Sequence, residues 1–185
     1  MMRTFHEVGG EELRWIKPRR TKLQFELRAG EILVATLAWT GGSRALGQWA
    51  EGQYRFNREG WLRPRTLVRG AANAASETPG EQEETLATFA HRGGTLTFPD
   101  GRTFLWKKPR RWTNERIWTD SAATEHARFH PGAWESSVTV ASQPESASLP
   151  ELPLLVLLGQ YLIVLASQDA AAASSAATVA VIASS

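Results

Sequence analysis

Fifteen consecutive residues, Leu152 to Ala166, read LPLLVLLGQYLIVLA, and only Gln160 among them is strongly polar. Pro150 and Pro153 stand where the start of a helix accepts proline. As a helix this run is apolar all the way round. It has no face to give to water and must be enclosed by protein or by lipid. At 1.5 Å per residue it would be about 22 Å long, short of the ~30 Å of a bilayer core. Ser167, Gln168 and Asp169 follow it, and no Lys or Arg flanks either end to set an orientation. The segment therefore predicts a buried core helix over about 150–166 and no transmembrane span.

The preceding chain supplies something to enclose it. Leu23, Phe25 and Leu27 alternate with Gln24, Glu26 and Arg28, the period of a half-buried strand. Ile32 to Trp39 is apolar on both faces, as in a strand covered on both sides. Ala45 to Trp49, Tyr54 to Phe56, Trp61 to Arg69, Leu86 to His91, Thr95 to Phe98, Arg102 to Lys107, Arg111 to Thr119, His126 to His130 and Ser136 to Ala141 continue the series. Turn residues punctuate it, most strongly Pro99-Asp100-Gly101 and Pro131-Gly132. Ala71 to Glu84, with Pro79-Gly80 inside it, reads as a long solvated hairpin loop. About twelve short, evenly spaced strands over about 12–142 predict an antiparallel sandwich or barrel. A closed barrel of that size is too wide for side chains alone to fill. Threading the apolar helix through its middle solves both problems. The reading is one domain over 1–166, mainly β, with an Ala/Ser-rich tail at 167–185. In that tail Ala170 to Ala173 can extend the helix, while Thr178 to Ile182 suits a short strand equally well.

Charge and composition narrow the function. The chain has no cysteine, which excludes disulfides, thiolate metal sites and a thiol nucleophile. All 21 Lys and Arg lie at or before Arg128 with 15 of the 19 acids, so residues 1–128 carry +6 and the remainder −4. The basic part favours anionic partners. The first fifteen residues contain no apolar run, so no secretion signal is expected. No phosphate loop, dinucleotide fingerprint, nucleophile elbow or zinc-protease motif occurs. His126 and His130 share one face of a predicted strand, and ~13 Å of strand between them is too far for a shared metal.

The order of parts resembles the tubby-like superfamily, which includes the tubby C-terminal domain, the phospholipid scramblases and the LURP-one-related proteins. The resemblance rests on the strand series to Ala141 and on the run Pro150 to Leu162, and covers nearly the whole chain as a layout. Gly94 to Trp106 (GTLTFPDGRTFLW) is similar to strand-pair wording in bacterial members. The resemblance implies a twelve-stranded barrel wrapped around a hydrophobic C-terminal helix, with a tendency toward membrane-associated roles. The chain departs from the scramblases in lacking their cysteine cluster and the acidic stretch near the helix, where only Asp169 follows. Scrambling and calcium dependence are not carried over.

The sharpest basic cluster is Lys107, Lys108, Arg110, Arg111 and Arg116, mixed with Trp106, Trp112 and Trp118. Lys and Arg suit lipid headgroups, and Trp suits the membrane interface. The plainer reading makes all eight tryptophans barrel core and strand anchors and the charges a solvated outer face. A smaller cluster, Lys17, Arg19, Arg20 and Lys22 around Pro18, reads as a soluble edge turn. These readings predict a non-enzymatic cytoplasmic module, peripheral at an anionic membrane surface, with those five basic residues as its headgroup site. No metal, cofactor or nucleic acid is expected. A structural or protein-interaction barrel is the second reading. A lipocalin-like carrier is disfavoured, because the helix occupies the space a ligand needs.

Overall fold

The computed structural model describes residues 2–8, 11–19, 21–70, 84–132 and 137–183, with side chains as far as Ser174. The predicted loop at 71–84 lies outside the described residues except for Glu84, as does Trp134. Twelve antiparallel strands form one closed barrel in chain order. They are β1 (Leu13–Ile16), β2 (Gln24–Ala29), β3 (Ile32–Gly41), β4 (Arg44–Trp49), β5 (Gly52–Glu59) and β6 (Arg65–Gly70). The second half comprises β7 (Thr85–Ala90), β8 (Thr95–Thr97), β9 (Thr103–Lys107), β10 (Arg116–Asp120), β11 (Glu125–Pro131) and β12 (Ser137–Ser142). β1 closes on β12 with Leu13 opposite Val140 and Trp15 opposite Val138, so each of the twelve strands has a neighbour on both sides.

Period-two patterning sets the two faces of the wall. In β2, Phe25, Leu27 and Ala29 are buried while Gln24, Glu26 and Arg28 are half-buried. On the outer face the charges pair with one another. Arg28 meets Glu26 at 2.7 Å, and Arg128 meets Glu125 at 2.6 Å and Glu115 at 2.9 Å. Arg28 and Arg128 thus serve fixed pairings with neighbouring carboxylates.

A 3-10 turn at Pro144–Ser148 leads from β12 into α1 (Leu152–Ala183), which threads the barrel. Every residue from Glu151 to Leu162 is buried. Each fully buried Leu or Val contributes about 1.5–3 kcal/mol relative to exposure. Close fit needs small residues on both surfaces. A Cβ on Gly47 would lie 3.1 Å from the Leu157 side chain, and one on Gly159 would lie 2.3 Å from Phe129 Cζ.

The helix is longer than the apolar run predicts, with 32 residues continuing to Ala183 rather than ending near Ala166. No strand forms at Thr178 to Ile182, where the helix continues to Ala183 despite the β-branched residues. Leu152–Ser174 is long and apolar enough to cross a membrane, with a mean hydropathy of 1.6. Its first two-thirds lie inside the barrel, and Asp169 to Ser174 are exposed beyond it.

Candidate functional site at the rim where the helix leaves

Antiparallel order places the β1–β2, β3–β4, β5–β6, β7–β8 and β9–β10 connections at one end of the barrel. The helix leaves at this end, where Arg58 at the end of β5 holds Asp169 at 2.7 and 2.9 Å. The N-terminal segment, the 3-10 turn and the remaining connections cap the other end. There Glu151 at the helix start contacts Arg102.

The two ends differ sharply in charge. At the exit rim, Lys17, Arg19 and Lys22 come from the β1–β2 connection, Arg63 from β5–β6 and Arg92 from β7–β8. Lys108, Arg110 and Arg111 come from β9–β10, where Glu115 is the one acid among the described connection residues of this rim. Glu115 is already engaged by Arg128 at 2.9 Å and His130 at 3.0 Å. The entry rim instead carries Glu7, Glu11 and Glu12 before β1, with Glu31, Glu51, Asp100 and Glu145 on its connections. The second basic cluster is therefore more than an isolated edge turn, since Lys17, Arg19 and Lys22 share the rim of the first.

The same rim carries the exposed apolar side chains. Trp61 (93% exposed), Leu62 (85%) and Trp112 (82%) sit on the β5–β6 and β9–β10 connections, and Leu23 (39%) sits on β1–β2. This corrects the reading of all tryptophans as core. Trp15 and Trp118 are fully buried and Trp106 packs against the core, but Trp61 and Trp112 stand in solvent. The reason is strand length: β6 begins at Arg65 rather than Trp61, and β10 at Arg116 rather than Arg111.

The five basic residues of the predicted cluster divide into two groups. Arg110 and Arg111 are exposed beside Trp112 on the loop. Lys107, Lys108 and Arg116 border a cavity of about 880 Å³ between the helix and the wall from β7 to β11. Arg116 shares the parity of Trp118 and is paired across the sheet with Phe129, so its side chain faces the barrel interior. Its one hydrogen bond among the described residues is a 3.4 Å contact to the Glu115 carbonyl. Burial pushes the guanidinium below the ordinary arginine range, and it remains a cation at neutral pH.

Phe89, Trp106, Leu162, Ile163, Ala166 and Ala170 supply the apolar walls of this cavity, and no acid lines it among the described residues. Gly94 shapes one edge. Its φ is +65°, and a Cβ there would lie 2.3 Å from the Trp106 carbonyl oxygen, which only glycine permits. The opposite side of the helix is held shut. Tyr161 Oη donates to the Ser43 carbonyl at 2.6 Å, and burial pushes its hydroxyl up to about 12, so it stays a donor. His91, which itself lines the cavity at its β7 side, meets Thr66 Oγ1 at 2.9 Å, and burial, helped by Arg58, holds its ring below the usual histidine range.

A separate cluster lies near the entry rim. A register shift between Trp118 and Thr119 turns His126 out of line with His130 and against Phe104. Its Nδ1 meets Ser146 Oγ at 3.0 Å and its Nε2 meets Asp120 at 3.2 Å. The Ser-His-Asp order resembles a nucleophilic triad, but the ring faces the opposite way to the catalytic arrangement. Ser146 is only 4% exposed. The contact clamps the 3-10 turn to the β10–β11 turn.

These features define a closed antiparallel barrel threaded by its own C-terminal helix, with one cationic, apolar-tipped rim. No family model, curated protein or solved structure matches the chain.

Proposed function

We propose that the chain is a non-enzymatic, tubby-like barrel that docks on anionic phospholipid surfaces through the rim where its helix leaves. One observation carries this reading. All the exposed large apolar side chains among the described residues share a rim with the basic connections, while the acidic connections lie at the other end. Basic side chains near an anionic leaflet contribute about 1 kcal/mol each, and interfacial Trp adds a non-electrostatic grip. Lys107, Lys108, Arg110 and Arg111 form the densest part of that surface.

Flotation with vesicles tests it. Binding is expected to phosphatidylglycerol-containing vesicles and not to pure phosphatidylcholine, and to weaken between low and high salt as the Debye length shrinks. Neutralising Lys107, Lys108, Arg110 and Arg111 together should weaken binding at least tenfold with the far-UV spectrum unchanged. Full binding by that variant sinks the headgroup assignment. No binding of the unaltered protein to either vesicle moves the function to a protein partner.

A further inference from the structure

Where the helix leaves the barrel, its polar side-chain ties to the wall among the described residues are on one side. Arg58–Asp169 and Tyr161–Ser43 hold it toward β3 to β5, and the ~880 Å³ wedge opens on the opposite side. That volume falls within the ~300–1,000 Å³ usual for small-molecule sites. Its walls are chemically divided. One end has Arg116 facing inward with Lys108 at the mouth, while Lys107, opposite Ile117 in the ladder, turns to the outer face. Deeper in, the space lies between Phe89 and Trp106 on the wall and Leu162, Ile163 and Ala166 on the helix.

Such a division suits a molecule with a compact anionic head and an apolar chain. Two cations, Arg116 and Lys108, with no acid among the described lining residues favour more than one negative charge on that head. A phosphomonoester carries about −1.5 to −2 at neutral pH, where a carboxylate carries one. A guanidinium also meets phosphate oxygens through two parallel N–H donors. Arg116 has those donors to give, because Glu115 is engaged by Arg128 and His130.

We infer that this wedge binds one single-chain amphiphile headed by a phosphomonoester, with the phosphate at Arg116 and Lys108 and the chain between Trp106 and the helix. The inference rests on the lipid-facing reading of the rim and deepens it, from a surface that senses charge to a site that holds one molecule.

Isothermal titration with lysophosphatidic acid below its critical micelle concentration tests it without a membrane. Saturable 1:1 binding is expected, with glycerol 3-phosphate and lysophosphatidylcholine each at least tenfold weaker. Arg116→Gln should weaken lysophosphatidic acid at least tenfold, and Ala166→Trp, which fills the wedge, should abolish binding. Near-UV circular dichroism checks that both variants keep the packed core. Equal binding of glycerol 3-phosphate overturns the chain subsite, and an unchanged affinity of Arg116→Gln overturns the head subsite. Absence of saturable binding overturns the whole inference.

Surface docking is read separately with a loop variant, R110Q/R111Q/W112S. It should lose vesicle flotation and keep lysophosphatidic acid affinity, while Arg116→Gln and Ala166→Trp keep flotation. If unaltered protein binds the amphiphile yet floats with no vesicle, the wedge stands and the surface reading fails. Flotation without amphiphile binding overturns the wedge and leaves the surface reading standing.

Discussion

Gln160 is fully buried in the middle of the helix, and neither its amide nitrogen nor its oxygen has a hydrogen-bond partner among the described residues. Leaving a buried amide unpaired costs about 1–3 kcal/mol. Gln160→Met keeps the volume and removes the polar atoms, so it should raise unfolding stability by about 1–3 kcal/mol, read as a higher urea midpoint at constant m. A lower midpoint would mean that the amide is paired in solution. His91 gives a pH-dependent case. Its folded pKa lies below its unfolded value of 6.5, chiefly through burial and then through Arg58, with Asp169 opposing. The unfolded chain therefore binds the proton more readily. The contribution of His91 is whole above 6.5 and is lost as pH falls from there through the lower folded pKa. His91→Gln should flatten that part of the stability curve, and an unchanged slope would exclude the ring as its source.

At the scale of elements, the parts legible in the sequence were those whose surroundings impose a period. Strand β2 announces itself because one face meets the core and the other meets water. The helix announces itself because it meets water nowhere between Glu151 and Leu162. Strand ends carry no such signal. Trp61 and Arg111 look like strand residues by type, and only the ladder shows that pairing starts at Arg65 and Arg116. The register shift that separates His126 from His130 is likewise invisible to a strict period of two. For the same reason the five basic residues read as one cluster, although the strand start divides them between loop and cavity. The extra length of the helix escaped because Ala and Ser are compatible with helix whether or not anything packs on them. That distinction yields a prediction. Ala170 to Ser174 are exposed, so Ala172→Gln with Ala173→Gln should shift the melting temperature of the chain by less than about 2 °C, as for surface changes within ±0.5 kcal/mol. Ending the chain after Tyr161 removes the buried Leu162, Val164 and Leu165 and should leave no cooperative transition.

For the whole molecule, the decisive property is polarity along the barrel axis. A closed barrel has no edge strand to offer a partner, so its interaction surfaces are its two rims and its outer wall. The wall is occupied by ion pairs such as Arg28–Glu26 and Arg128–Glu125. The entry rim is acidic and plugged by the N-terminal segment, where Phe5 and Val8 are buried. Among the described residues, only the exit rim combines cations with exposed Trp and Leu, so under the proposed docking this rim alone would set the orientation on an anionic surface. Orientation can be read directly. In vesicles with brominated acyl chains, quenching should fall on Trp61 and Trp112 and spare the buried Trp15 and Trp118, so Trp61→Phe with Trp112→Phe should remove more than half of it. Neutralising Glu31, Glu51 and Glu145 at the entry rim should change vesicle affinity by less than about threefold at physiological salt, because charges a barrel length away lie beyond the ~8 Å screening distance. Equal effects from the two rims would mean that the protein meets the surface by net charge alone, without a docking face.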